Sequence, residues 1–265
     1  MSMASDQQHP AEVTVALGED FVATVELHRP PDNYFDRALI SALADTYHAL
    51  DADPRCRAIV LCAEGKHFCA GAKLTGRGAD GDDLADGAGS LYREAIRLFE
   101  AATPVVAAVH GAAIGGGLGL ACSADFRVGC PEARFAANFA RLGFHHGFGL
   151  SVTLPAIVGQ QCSLELLYTG RRIGGEEAAR IGLCDRLVPA GQVRAAAHAL
   201  AAEIAGSAPL AVRSIRATMR GQLADQVRAA TAREGAEQDR LRETADWREG
   251  VRAMAERRAP RFEER

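Results

Sequence analysis

Short apolar runs and helical periodicities alternate along the chain up to about residue 206. Residues 13–17 and 21–27 are two strand-like runs separated by Gly18 to Asp20, which predicts a hairpin. Arg29-Pro30-Pro31-Asp32-Asn33 is a turn cluster. Asp36 is placed to cap the helix that follows, in which Ile40, Leu43, Tyr47 and Leu50 recur at helical spacing. Residues 58–62 predict a short buried strand, 65–71 a loop and 91–99 a helix. Pro104 opens a strand at 105–109, residues 111–119 a turn leading into a helix toward Ser123, and 126–128 another short strand. Residues 133–149 show no regular pattern; helices are expected through 150–183, then a last strand at 187–188 and helix from Gln192 onward. Strands and helices alternate before residues 206–209 and only helices follow, so the pattern is an α/β core with a helical C-terminal part.

Between residues 101 and 124 there is no Asp, Glu, Lys or Arg, a length that invites comparison with a membrane span. Pro104, His110 and five glycines interrupt it, so a buried strand, turn and helix are expected and no membrane span. The 265 residues are 48% hydrophobic and 24% charged, which excludes disorder as the main state. A net charge of −4 without a basic domain argues against a dedicated nucleic-acid binder. The Arg- and Glu-rich stretch 248–265 reads as a solvated or interface helix. Seven cysteines without paired spacing predict reduced thiols and a cytoplasmic setting, and the polar residues 1–10 lack the apolar core of a secretory signal.

Glycine changes the picture most: twelve of the 27 lie between Gly65 and Gly119. Gly76-Arg-Gly78-Ala-Asp-Gly81 has the form G-x-G-x-x-G, but no strand precedes it and no helix opens on it; the acidic segment 76–89 around it reads as a mobile loop. Cys62, His67 and Cys69 lack a zinc-binding spacing, so no metal is expected. The adjacent pair His145-His146, between Gly143 and Gly147, suits acid/base chemistry, ligation or plain packing. The most specific features are two turns that each follow a strand: His67-Phe-Cys-Ala-Gly71-Ala72-Lys73-Leu74 and Val109-His-Gly111-Ala-Ala-Ile-Gly115-Gly116-Gly117-Leu-Gly119. The second opens a helix, whose first N–H groups lack intrahelical partners and carry the positive end of the dipole. Two such groups aimed at one point would stabilise an oxyanion; tight packing alone also calls for glycine at such turns.

These turns, with Val25-Glu-Leu-His-Arg29-Pro30, Pro104-Val-Val-Ala-Ala-Val-His-Gly111, Leu167-Tyr-Thr-Gly170, Ala178-Ala-Arg-Ile-Gly182 and Pro260-Arg-Phe262, make the chain resemble the crotonase (enoyl-CoA hydratase/isomerase) superfamily along nearly its whole length. The resemblance implies an α/β spiral of β-β-α units over residues 1–206, which binds the substrate. It implies a helical oligomerisation region over 207–265 and a homotrimer or dimer of trimers. The implied partner is an acyl-CoA thioester, with coenzyme A entering as part of the substrate and no separate cofactor. By position, the N–H groups of Ala72 and Gly116 form the oxyanion hole, and Cys69, Ala70, Gly71, Leu74, Gly115, Gly117, Gly119 and Phe139 contact substrate.

Three positions depart from that pattern. The two glutamates of the resembling hydratases fall on Gly119 and Phe139, and the usual Asp after the first oxyanion residue is Lys73. A positioned acid or base contributes typically ~10²–10⁴-fold, so the proton must be handled otherwise. His145 and His146 are the expected substitutes, with Glu94 more remote. Three functions remain open at this point: a hydratase or isomerase using these histidines, a malonyl-type acyl-CoA decarboxylase that needs no base, and a catalytically silent acyl-CoA binder.

Overall fold

The computed structural model describes residues 12–74 and 88–265; the sequence expectations for residues 1–10 and for most of the glycine-rich segment 76–89 lie outside them, and its last two residues belong to a helix, Ala88–Glu100, rather than to a loop. Strands β1 (Val13–Leu17) and β2 (Val22–Leu27) form the expected antiparallel hairpin, although Phe21 belongs to its turn at φ 64 rather than to the strand. Asp36 accepts the Leu39 N–H (2.8 Å) and caps α1 (Arg37–Ala52), whose apolar positions 40, 43, 47 and 50 are buried. β3 (Ala58–Ala63) and β4 (Val105–Val109), separated by α2 (Ala88–Glu100), are buried at every position. Near-continuous apolar strands of this kind are the mark of a parallel sheet covered on both faces.

The remaining elements are β5 (Ala112–Ile114), α3 (Gly116–Ser123), β6 (Phe126–Gly129), β7 (Arg134–Ala136), α4 (Leu150–Val158), α5 (Gln160–Thr169), β8 (Ile173–Gly174), α6 (Gly175–Arg180) and β9 (Arg186–Leu187). They are followed by α7 (Val193–Ala205), α8 (Pro209–Arg220), α9 (Leu223–Arg242) and α10 (Ala245–Ala255). Among the described residues two sheets form. One has the order β1-β2-β3-β4-β6-β9, parallel except at β1, and the other is β5-β7-β8. The second sheet was not expected: its strands are two or three residues long and lie in segments read as turn, irregular or helical. The uncharged stretch 101–124 is divided among β4, β5 and α3, and among the described residues no single helix is long and apolar enough to cross a membrane.

α7 packs across β2, β3, β4 and β6. α8 is tethered by Arg216 (2.9 Å) and Arg220 (2.7 Å) to the part-buried Asp125, which also accepts the Val105 N–H at 2.8 Å. Burial pushes the Asp125 carboxyl up, but Arg216 and Arg220 outweigh it and hold the group below the ordinary carboxylate range. α9 returns against α2 and α4, and α10 packs on a 3-10 turn, Asn138–Leu142. The C-terminal helices therefore reach the region where the two glycine turns meet.

Candidate active site

The two turns touch because glycine leaves their backbones bare. Cys69 lies across the edge of the second sheet, its N–H donating to the Ala112 carbonyl (2.9 Å) and its carbonyl accepting from Ile114 (3.0 Å). A Cβ at Gly117 would stand 2.1 Å from the Cys69 carbonyl oxygen, and one at Gly71 would stand 2.7 Å from that of Ile114 and 3.6 Å from the Gly116 nitrogen. Gly71 (φ 88) and Gly115 (φ 57) are also in the left-handed region that glycine tolerates. Gly116 is the first residue of α3, so its N–H sits at the positive end of a helix. Neither the Ala72 nor the Gly116 N–H donates to another described residue.

Both turns open on one cavity of about 730 Å³. Ala70, Gly71, Ala72 and Leu74 line it from the first turn, Gly115 and Gly116 from the second. Its apolar wall is aromatic: Phe35, Tyr92, Phe139, Phe144 and Phe148 contribute, with Met254 from α10. Its charged lining is unbalanced, with Arg29, Arg37, Lys73, Arg134, Arg172 and Arg242 against Asp32 and Asp36. Such a surface suits a ligand that is anionic at one end and apolar at the other.

The structure thus brings Ala70, Gly71, Ala72, Leu74, Gly115, Gly116 and Phe139 to one cavity, and places the other expected site residues elsewhere. Cys69 is fully buried beneath the first turn, where burial pushes its thiol up to about 12. Gly117 is the contact point between the turns. Gly119 faces Phe148: a Cβ added there would meet the Phe148 Cβ at 2.5 Å. Glu94 pairs with Arg97 on α2 at 2.7 Å and does not line the cavity. Neither do His145 and His146, whose rings stack at 4.1 Å. His145 Nδ1 is 2.7 Å from the His146 carbonyl oxygen, and His146 Nε2 is 2.8 Å from Ser151 Oγ. Burial, with His145 adding to it, pushes His146 down to about 4, so it is neutral near pH 7.

Several cavity residues were not found from sequence. His67 appeared there only as a rejected metal ligand; its Nδ1 accepts the Ala112 N–H at 3.4 Å and its Nε2 is 3.6 Å from Asp32 Oδ1. Burial lowers the His67 pKa, against the pull of Asp32. Tyr92 donates to Gln238 Oε1 at 2.8 Å, and burial raises its phenol above the ordinary range. The Asn138 amide lies beside the second turn, with Oδ1 3.3 Å from where a Gly115 Cβ would stand. His67 sat in a motif already singled out; Asp32, Tyr92, Asn138 and Gln238 carry no local signal, because they converge from four separate segments only on folding.

An enoyl-CoA hydratase/isomerase family profile matches residues 18–265. A protein of Thermus thermophilus, named for enoyl-CoA hydratase, is 36% identical over 252 residues, covering 91% of this chain and 95% of that protein. Carnitinyl-CoA dehydratase of Proteus mirabilis is 33% identical over 253 residues, covering 92% and 95%. A crystal structure of an enoyl-CoA hydratase/isomerase from Pseudoalteromonas atlantica superposes with a TM-score of 0.84 at 32% identity, over 96% of this chain and all of the other.

Proposed function

Because the chain belongs to the enoyl-CoA hydratase/isomerase family, within the crotonase superfamily, we propose that it transforms an acyl-CoA thioester whose carbonyl oxygen lies between the Ala72 and Gly116 N–H groups. The observation that carries this reading is that both donors lie on touching turns, open on the cavity, and have no acceptor among the described residues. When a thioester becomes an enolate, negative charge gathers on its carbonyl oxygen. Two fixed donors, one at a helix N-terminus, are aimed there without any reorganisation, and one such donor is worth ~10²–10³-fold in rate. The aromatic wall excludes water and strengthens that interaction. The arginines and Lys73 supply charge for the phosphates of coenzyme A, which enters as part of the substrate rather than as a separate cofactor.

Proton transfer falls to groups of the cavity itself. Asp36 is committed to capping α1 and to Arg29 at 2.7 Å. The neighbouring His67 and Asp32 are the pair suited to pass a proton, and His145 and His146 are not used. One observation favours a second reading. With glycine at 119, phenylalanine at 139 and Phe148 packed over Gly119, no carboxylate occupies the positions that hold glutamates in the hydratases this chain resembles. Decarboxylation of a malonyl-type thioester generates the enolate by loss of CO₂ and needs no base there.

A homotrimer or dimer of trimers is part of this proposal. Leu210, Ile215 and Met219 on α8 are 81%, 62% and 80% exposed, while Arg216 and Arg220 hold the helix to the core. Exposed apolar side chains of this size are what a subunit contact would cover.

The test is a panel of CoA thioesters assayed together for hydration, isomerisation, decarboxylation and CoA release, with wild-type protein and Gly116→Pro. Turnover of one class, abolished in a folded Gly116→Pro protein that lacks the N–H, is expected. Undiminished turnover in that variant removes Gly116 from the reaction, and CO₂ release from a malonyl-type ester selects the second reading.

A further inference from the structure

The segment between the 3-10 turn Asn138–Leu142 and α4 is a tight loop with Gly143 and Gly149 at φ 77 and 74. Phe148 within it sits at φ 61, a conformation that a bulky residue keeps only where its surroundings impose it. Those surroundings come from α9, far along the chain. Glu234, 1% exposed, accepts the N–H groups of Gly149 (2.9 Å) and Ser151 (3.0 Å). Gln238, one turn further on, donates to the His145 carbonyl at 2.8 Å and accepts from the Tyr92 hydroxyl at 2.8 Å. α9 therefore grips the loop on both sides of Phe148.

The ring so held forms part of the cavity wall next to the second turn. Its centroid is 5.5 Å from that of Phe35, and a Cβ at Gly116 would stand 3.6 Å from Phe148 Cδ2. Phe139 flanks the same turn, 3.7 Å from where a Gly115 Cβ would be. Carbons attached to a carbonyl at the Gly116 N–H would thus meet three rings, with the Asn138 amide beside them.

We infer that Phe148 sets acyl specificity and that Glu234 and Gln238 are positioning residues that hold its ring in place. The preferred substrate is a CoA thioester with an apolar acyl group that ends against this ring. A longer chain would have to displace Phe148 from a packed site. The inference rests on reading the cavity as an acyl-CoA site, and its test separates the two.

The experiment measures equilibrium binding of saturated, unreactive CoA thioesters from acetyl- to dodecanoyl-CoA, each normalised to acetyl-CoA, so that no turnover is needed. In the wild type, affinity is expected to rise with chain length and then break off. In Phe148→Ala the break moves to longer chains, and the ratio of long to short esters rises about ten-fold, the scale of one added methylene in an apolar pocket. Phe148→Leu, closer in volume, shifts it part of the way and decides the matter if Phe148→Ala does not fold. Glu234→Gln, which turns an amide donor toward Gly149 or Ser151, shifts the ratio in the same direction; a merely structural role would lower all affinities alike. Binding of all esters with an unaltered length profile in the folded Phe148 variants overturns the inference while leaving the acyl-CoA site intact. Absence of any ester binding to the wild type overturns both.

Discussion

At the two glycine turns backbone faces the cavity; at residues 139 and 148 side chains do. The turns admit little change, because a single Cβ at Gly117 would drive into the Cys69 carbonyl at 2.1 Å and separate the N–H groups. The neighbouring wall can change its chemistry without moving the turns. Gly119 carries no side chain, Phe148 fills the space over it, and Phe139 adds a ring where a resembling hydratase has a carboxylate. The comparison teaches that the bare backbone of the two turns is held by the fold itself, while the wall beside it is made of replaceable side chains on another loop.

The comparison breaks most severely at Gly116. Gly116→Pro deletes one donor, and turnover of the accepted thioester is expected to fall at least ~10²-fold; because a Cβ there would stand 2.4 Å from Phe35 Cζ, Gly116→Ala, which adds the same Cβ but keeps the N–H, is the control and should lose less. A smaller effect, on stability, belongs to the histidine pair outside the cavity. His146 in the folded protein is held at about 4 by burial, below the ordinary ~6.5 of an unfolded chain. The unfolded chain therefore binds the extra proton first, and stability should fall as pH drops from about 6.5 toward about 4, by on the order of 2 kcal/mol. Glu234 at 4.0 Å opposes part of that loss. Denaturant titrations at stepped pH, compared with His146→Asn, check both the sign and the window.

Gly119 and Phe148 sharpen the side-chain half of the comparison. Gly119→Ala should destabilise by ~1–3 kcal/mol through overpacking against Phe148, and much less in a Phe148→Gly background, which also removes the Phe148 Cβ that stands 2.5 Å from the added methyl. A double-mutant cycle by thermal melts should give a coupling of ~0.5–3 kcal/mol; independent effects would separate the two residues. The smallest effect is expected for His145→Ala on turnover, within about three-fold of wild type, because its ring does not line the cavity. A loss of ~10²-fold, the scale of a positioned acid or base, would restore that residue to the chemistry.

Local pattern carried much of this architecture. The hairpin β1–β2, the Asp36 cap, the buried strands β3 and β4 and the helix opening at Gly116 all follow from period, capping and charge-free runs within a few residues. The small sheet did not, because β5, β7 and β8 are too short for alternation to register and exist through pairing across the chain, such as Ala113 with Phe135 and Phe135 with Ile173. The site divides in the same way. Gly71, Ala72 and Gly115 to Gly117 were legible as turns, since bare backbone is written directly as glycine. That His67 lies by Asp32, that Glu234 caps Gly149 and that Phe148 covers Gly119 depend on segments meeting in space. The adjacent histidines drew attention by composition, yet their rings turn to each other and to Ser151.

The most direct measurement is a crystal structure of the protein with a slowly reacting acyl-CoA thioester. The account predicts the thioester carbonyl oxygen within ~2.7–3.1 Å of both the Ala72 and Gly116 nitrogens, with the acyl chain against Phe35, Phe139 and Phe148. A thioester whose carbonyl points away from these two N–H groups, or a CoA ester held elsewhere on the molecule, would contradict it.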